Sequence, residues 1–170
     1  IKGCGSNILE IFGSSSLTGG EWKVIGDHIE VGSFISLAAV TNSDLWLENV
    51  NTDDLIVTES TFRKLGIKFE YHQNKIHVPS DQKLEIVPDL SGAIPKIDDG
   101  PWPMFPTDMM SIAIVTATQA KGTILLFEKM YDGRMFFVDH LMSMGAQIVL
   151  CDPHRVVVVG PSQLIGTRVQ

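Results

Sequence analysis

The sequence predicts an α/β fold of the α+β kind, built from two copies of a βαβαββ unit with one buried helix in each. Three observations support this prediction. Residues 43–73 match residues 122–152 in an ungapped register, and such repetition is typical of a repeated supersecondary unit. Each copy follows a segment that is apolar almost all round, 32–40 and 108–120, as expected for an interior helix. Each copy ends in two short runs that favour strands.

The first copy can be assigned element by element. Residues 45–50 form a short apolar strand, and Thr52 is expected to cap the helix that follows it. That helix should stop at Gly66, because glycine readily adopts the left-handed conformation found after helix ends. Two strands at 67–72 and 75–78 then predict a hairpin.

The second copy follows the same plan. Its amphipathic helix should end at Gly145, and a hairpin should join strands at 147–151 and 155–159. The copies divide the chain into a first repeat unit at about 20–79 and a second at about 84–160.

Composition excludes several classes of protein. The chain has 170 residues, 44% of them hydrophobic, and a net charge of −7, so a nucleic-acid surface is not expected. The longest uncharged stretches, 31–43 and 109–120, are shorter than the roughly 18 apolar residues of a membrane span. We expect no signal peptide, no disulfide framework from Cys4 and Cys151, and a cytoplasmic location. The five histidines show no familiar metal-binding spacing.

The segment before the second apolar helix is rich in proline. Its three prolines predict a stiff, extended approach over residues 97–106. Thr107 is then expected to cap the helix, with Asp108 in its first turn. Asp108 has two interpretations: an acid that complements the helix dipole, or a general base held by position at the edge of a cleft.

Three sequence motifs together resemble one enzyme family. "FPTD" at 105–108 is followed by an apolar helix and "GT". "FEKMYDGRMFFVDHLMSMGA" occupies 127–146, and "GDHIEVGSF" at 26–34 is similar to the family's "PDRIETGTF". The combination, which covers the chain from about residue 3 onward, resembles the UDP-N-acetylglucosamine enolpyruvyl transferases.

The resemblance implies a fold and a reaction. Such enzymes are inside-out α/β barrels built from six βαβαββ units, of which this chain would supply two, so that residues 1–170 form part of one domain. The implied reaction moves the enolpyruvyl group of phosphoenolpyruvate onto the 3-hydroxyl of UDP-N-acetylglucosamine and releases phosphate, as the first committed step of peptidoglycan synthesis. No cofactor or metal is implied. The expected partners are these two substrates and the remaining half of the enzyme, with no nucleic acid and no membrane.

The resemblance also implies three site residues. Asp108 corresponds to the aspartate of the "FPTD" motif, which contacts the sugar hydroxyl and is the proposed catalytic base. Met130 corresponds to the position whose backbone contacts the nucleotide sugar. Arg134 matches the arginine of the same segment, although an arginine that forms a surface ion pair is an equally good interpretation.

Some family features are changed or absent. Gly26 and His28 replace a proline and an arginine, and Phe137 stands where a histidine is frequent. The catalytic acid and the phosphate-binding Lys-Asn pair are expected in sequence outside this chain. We therefore expect the isolated chain to be inactive or nearly so.

Three alternative functions remain open from the sequence. The first is a non-catalytic binding module of the same fold. The second is an enzyme like 5-enolpyruvylshikimate-3-phosphate synthase, which the "FPTD" context disfavours. The third is an RNA-phosphate cyclase-like protein, which the acidic composition disfavours.

Overall fold

The computed structural model describes residues 1–168, which contain four helices and seven strands. The helices are α1 (His28–Val40), α2 (Ile56–Lys64), α3 (Met110–Ala117) and α4 (Val138–Ser143). The strands are β1 (Leu45–Leu47), β2 (Glu70–His72), β3 (Lys75–Val78), β4 (Lys96–Asp98), β5 (Gly122–Phe127), β6 (Gln147–Asp152) and β7 (Arg155–Gly160). Single 3-10 turns at Thr52–Leu55 and Thr107–Met109 lead into α2 and α3.

The strands form two sheets with related strand orders. The first sheet is antiparallel with the order β1-β3-β2, and the second has the order β4-β5-β7-β6. Without β4, which pairs parallel to β5, the second sheet repeats the order of the first. No strand precedes α1 within residues 1–168, so the first half lacks the leading strand of the predicted unit. Both sheets are open over these residues and close no barrel.

The core lies where α1 packs against α3. Ile35 on α1 and Ile114 on α3 are completely buried, and the Ser36 and Thr116 hydroxyls are hydrogen bonded across the interface at 2.5 Å. The prediction of a buried helix is confirmed for α3, none of whose residues is fully exposed. It is only partly correct for α1, whose other side carries two half-exposed apolar side chains, Phe34 and Leu37.

The first helix begins earlier than predicted. α1 starts at His28 rather than at residue 32, because the Asp27 carboxylate accepts a hydrogen bond of 2.8 Å from the Ile29 amide and caps the helix. Glu30 lies in its first turn, where an acid suits the helix dipole. An acidic cap followed three residues later by a glutamate, as in Asp27 and Glu30, is a signal for the start of a helix. The apolar pattern alone does not reveal it.

Two predictions at the start of α2 are wrong in detail. Thr52 does not cap the helix; it lies inside the 3-10 turn, where the preceding Asn51 side chain donates a hydrogen bond of 2.7 Å to Asp54 instead. The strand before it is shorter than residues 45–50, because Asn49 takes a left-handed conformation with φ of 59° and ends the extended run.

Both predicted hairpins are present. The strand at 75–78 has the predicted limits, and β2 begins later than predicted, at Glu70. The turn is formed with Gln73 at a φ of 57°. In the second hairpin β6 and β7 are each one residue longer than predicted. None of the helices within residues 1–168 is both long and apolar enough to cross a lipid bilayer.

The glycines that follow α2 and α4 allow the cost of a side chain at a left-handed backbone position to be tested. Gly66 and Gly145 follow these helices with positive φ, as predicted. A Cβ atom at Gly66 would lie 2.5 Å from the Glu85 amide nitrogen, whereas a Cβ at Gly145 would lie no closer than 3.3 Å to the Gln163 carbonyl oxygen. Alanine at either position would be strained by about 1–2 kcal/mol. Gly66→Ala should cost at least about 1 kcal/mol more than Gly145→Ala, because backbone must move to make room.

Urea unfolding of the two alanine variants measures this difference, with Gly145→Ala as the matched control. Equal losses of unfolding free energy would show that the Glu85 backbone yields without cost.

Candidate functional site

The proline-rich segment folds back on itself. β4 ends at Asp98, and the chain then makes a turn in which the Met104 amide donates to the Pro101 carbonyl at 3.0 Å. The Gly100 amide donates to the Phe105 carbonyl at 3.2 Å. The prediction of an extended approach over 97–106 is therefore wrong. The prolines shape a compact loop that returns the chain to the core at Phe105, which is buried.

Thr107 has a different role from the one predicted. The residue before the 3-10 turn is Pro106, and no side chain caps that turn. The Thr107 hydroxyl instead donates to the carboxyl group of Glu128, whose two oxygens both lie 2.8 Å away. Asp108 does lie in the first turn, as predicted.

Asp108 borders a groove of about 570 Å³. His28 at the start of α1 and Asp54 contribute to the lining, together with the loop 100–106 and Met130. The start of α1 and the turn before α3 both reach this groove. Helix N-termini carry partial positive charge, so they favour an anionic ligand even though the groove contains two carboxylates.

The structure brings the three predicted site residues together. Asp108 and Met130 line the same groove, and an Arg134 guanidinium nitrogen donates to Asp108 Oδ1 at 2.7 Å. The Arg134 guanidinium also lies over the Tyr131 ring, 5.0 Å from its centroid. The Asp108 side chain is 62% exposed, so the ion pair adds little stability. Its main effect is to orient the Asp108 carboxylate.

The Glu128 carboxyl group holds the backbone at Met130 in place. Its N–H donates to Glu128 Oε1 at 3.0 Å, and the Tyr131 N–H donates to the same oxygen at 3.1 Å. Since the Met130 N–H is already bonded, the carbonyl is the backbone group of Met130 that can bind a ligand.

Glu128 and Asp99 form a buried pair of acids beneath the groove. Neither is accessible to solvent. The Lys129 amide donates to Asp99 Oδ1 at 2.5 Å. Asp99 Oδ2 is buried without a hydrogen-bond partner among residues 1–168, and the side chain of Asp99 adjoins that of Glu128. Two buried carboxyl groups in contact cannot both be ionised without a large cost. A neutral Glu128 carboxyl group can donate a hydrogen bond to Asp99.

The surroundings of Glu128 favour its neutral form more than water does. Burial raises the pKa of Glu128, and the hydrogen bond to Asp99 raises it further. The hydrogen bonds from Thr107 and the Met130 amide act in the opposite direction but do not outweigh these causes. The nearby Asp98 behaves differently: burial raises its pKa, but hydrogen bonds from Lys129 and Lys96 lower it overall.

Sequence reasoning missed four residues of this region. Asp54 and His28 line the groove, and Asp99 and Glu128 support it from beneath. Glu128 did carry a signal, because it directly follows the apolar strand β5. His28 was noted only as a departure from the family motif.

The chain matches one protein family over its whole length. The profile of the EPSP synthase (3-phosphoshikimate 1-carboxyvinyltransferase) family matches residues 1–170. The chain therefore belongs to this family, a group of enolpyruvyl (carboxyvinyl) transferases.

Within the family, the chain is similar to one kind of enzyme. It is 54% identical over 166 residues to the UDP-N-acetylglucosamine 1-carboxyvinyltransferase of Borrelia garinii subsp. bavariensis and 51% identical over 166 residues to that of Bradyrhizobium diazoefficiens. In each comparison 98% of this chain is covered. The chain spans 39% and 38% of the length of these two relatives.

Solved structures support the fold. The enolpyruvyl transferase NikO from Streptomyces tendae matches 83% of this chain, which covers 31% of NikO, with a TM-score of 0.68 at 16% identity. An EPSP synthase from Acinetobacter baumannii matches 88% of this chain, which covers 34% of that structure, with a TM-score of 0.58 at 17% identity. The mixed α/β architecture is thus confirmed as that of enolpyruvyl transferases.

Two substitutions of Glu128 test the buried pair. Glu128→Ala should lower the free energy of unfolding by about 3 kcal/mol or more, because it leaves Asp99, Thr107 and two amides without their partner. Glu128→Gln should cost less than about 1 kcal/mol, because its oxygen still accepts the amides and its nitrogen can donate to Asp99. Chemical denaturation measures both values, and similar losses for the two variants would contradict the hydrogen-bonding role.

The raised pKa of Glu128 also predicts a dependence of stability on pH. Because the pKa of Glu128 is higher in the folded protein than in the unfolded chain, the folded state binds the proton more tightly. This stabilisation is complete below about pH 4.3, the ordinary pKa of glutamate, and is lost as pH rises through the raised pKa. Stability of the native protein relative to Glu128→Gln should therefore fall as pH rises from about 4.3. A difference that is flat, or that increases with pH, would contradict a raised pKa of Glu128.

Proposed function

We propose that the complete protein containing this chain transfers the enolpyruvyl group of phosphoenolpyruvate to the 3-hydroxyl of UDP-N-acetylglucosamine and releases phosphate. The observation that carries this proposal is the position of Asp108. It lies at the edge of a groove beside Met130, in a chain about half identical to enzymes named for this reaction.

In this proposal Asp108 is the general base. Its carboxylate is exposed to the groove and is oriented by Arg134 at 2.7 Å, so one oxygen can accept the proton of the sugar hydroxyl while the other remains paired. Proton transfer concerted with attack of the hydroxyl oxygen on phosphoenolpyruvate requires position more than basicity. Arg134 thereby acts as a positioning residue.

Met130 and the helix N-termini bind the nucleotide sugar. The Met130 carbonyl is held at the groove by the bonds of its own amide and the Tyr131 amide to Glu128. It can accept a hydrogen bond from the amide or a hydroxyl of the sugar. The starts of α1 and of the turn before α3 favour the negative charge of the substrates.

The rest of the enzyme completes the site and the fold. Groups that bind the phosphate and protonate the enolpyruvyl carbon are expected from the remaining half, because the described groove contains neither a lysine nor a cysteine. The two open sheets become part of an inside-out α/β barrel when further βαβαββ units join the proposed units at 20–79 and 84–160. We place the reaction in the cytoplasm, since Cys4 and Cys151 are exposed free thiols, which persist in a reducing compartment.

The reaction is tested by measuring phosphate release from phosphoenolpyruvate by the complete protein, with and without UDP-N-acetylglucosamine. Release that depends on the sugar nucleotide is expected. Binding of the sugar nucleotide without phosphate release would instead identify a non-catalytic binding module. Release that depends on shikimate 3-phosphate would identify an enzyme like 5-enolpyruvylshikimate-3-phosphate synthase. The isolated 170-residue chain should release little or no phosphate.

The role of Asp108 is tested by Asp108→Asn in the complete protein. The amide cannot accept the proton, so kcat should fall about a hundredfold or more while the fold and the affinity for the sugar nucleotide are largely kept. The matched control is Asp132→Asn, since Asp132 is 96% exposed in the same segment and pairs with His154 rather than lining the groove. Equal activity of the two variants would exclude Asp108 as the base.

A further inference from the structure

The first sheet carries a cluster of two histidines and one glutamate on its hairpin. Glu70 and His72 are two residues apart on β2, and His77 lies directly opposite Glu70 on β3. Side chains two apart on one strand, and directly opposite across a strand pair, share a face of the sheet. That face is the outer one, because Ile76 and Val78 on either side of His77 point into the core.

We propose that Glu70, His72 and His77 form a binding site for a divalent transition-metal ion of the Zn²⁺, Ni²⁺ or Cu²⁺ type. One ligand atom from each of the three residues lies within 4.8 Å of the other two. His72 Nε2 is 3.4 Å from Glu70 Oε2, and His77 Nδ1 is 4.0 Å from that same oxygen. A tetrahedral ion with bonds of about 2.1 Å separates its ligand atoms by about 3.4 Å, so small side-chain rotations complete the geometry.

The second ring nitrogen of His77 supports this assignment. His77 Nε2 lies 2.9 Å from Asp44 Oδ2. A hydrogen bond from Nε2–H to this carboxylate leaves the lone pair of Nδ1 directed toward Glu70. A carboxylate behind a histidine in this way is the usual support of a metal-binding imidazole, because it fixes the tautomer and raises the basicity of the other nitrogen.

Trp46 restricts the orientation of the histidine rings. Its ring is stacked on that of His77, with centroids 4.4 Å apart and planes within 12° of parallel. The Trp46 ring also contacts the ring of His72 at 5.0 Å. Rings held in place before binding lose less conformational freedom when an ion binds. Trp46 also provides a spectroscopic reporter next to the proposed site.

The charge around the cluster also favours a cation. Asp44, Glu48 and Glu70 are acidic, and the ammonium group of the neighbouring Lys75 is paired with Glu48. Two imidazoles and one carboxylate select zinc, nickel or copper over magnesium and calcium, which prefer oxygen ligands. The ion would join β2 to β3 and stabilise the hairpin, since a ligand that binds only the folded state favours that state. None of these residues lines the groove beside Asp108.

Sequence spacing did not reveal the cluster. The three residues fit neither a zinc-finger pattern nor two histidines one helical turn apart. They come together only through the register of β2 and β3, in which Glu70 pairs with His77 and His72 pairs with Lys75.

Calorimetric titration of the metal-free full chain with ZnCl₂ tests the proposal. His72→Ala and His77→Ala should each weaken zinc binding at least about tenfold, and Asp44→Asn should weaken it about tenfold by removing the support of His77. His140→Ala is the matched control, because His140 is also an exposed histidine but lies on α4. MgCl₂ should not compete. Zinc affinity that is equal in His72→Ala, His77→Ala and the native protein would overturn the proposal.

A second measurement does not depend on the alanine variants folding. Cu²⁺ should quench part of the tryptophan fluorescence of the native protein, and Trp46→Phe should remove that part, although Trp22 and Trp102 remain. Glu70→Gln, which changes only the charge and one donor atom, should raise the Cu²⁺ concentration needed for quenching. Quenching that persists unchanged in Trp46→Phe would place the metal elsewhere and contradict the proposed site.

Discussion

The buried carboxyl group of Glu128 holds together two segments on which the groove depends. It accepts a hydrogen bond from Thr107, 21 residues earlier in the chain, and from the amides of Met130 and Tyr131. The turn that presents Asp108 and the backbone that presents Met130 are therefore fixed relative to each other by one side chain. The raised pKa of Glu128, which favours its neutral form, lowers the cost of burying this side chain beside Asp99.

The packing of the helices provides the frame for this arrangement. α1 and α3 lie against each other in the core, and the groove opens where α1 and the turn before α3 begin. Because both helices are anchored by fully buried side chains such as Ile35 and Ile114, the positions of their starts are set by the core. The loop 100–106 then closes one side of the groove.

Sequence patterns predicted the elements better than their ends. The repeat, the hairpins and the glycine stops depend on residue periodicity and backbone conformation, which are local. The prediction at Thr107 failed because a hydroxyl before a helix can bond to a distant partner as well as to a helix amide, and Thr107 bonds to Glu128. The prediction at Thr52 failed because this residue lies inside a 3-10 turn rather than before it. The sequence predicted Asp108 from its place at the start of an apolar helix, and it predicted Met130 and Arg134 only by resemblance to a family; the three residues lie close together. Asp99 and the Glu70–His77 pairing could not be predicted, because they depend on strand register.

The outer side of α1 has a consequence for the behaviour of the chain in solution. Phe34 and Leu37 are 48% and 53% exposed on a helix whose opposite side is in the core. Apolar side chains grouped in this way favour contact between molecules at high concentration, whereas the net charge of −7 keeps molecules apart. Added salt screens that repulsion and strengthens apolar association, so the colloidal stability of this chain decreases with ionic strength.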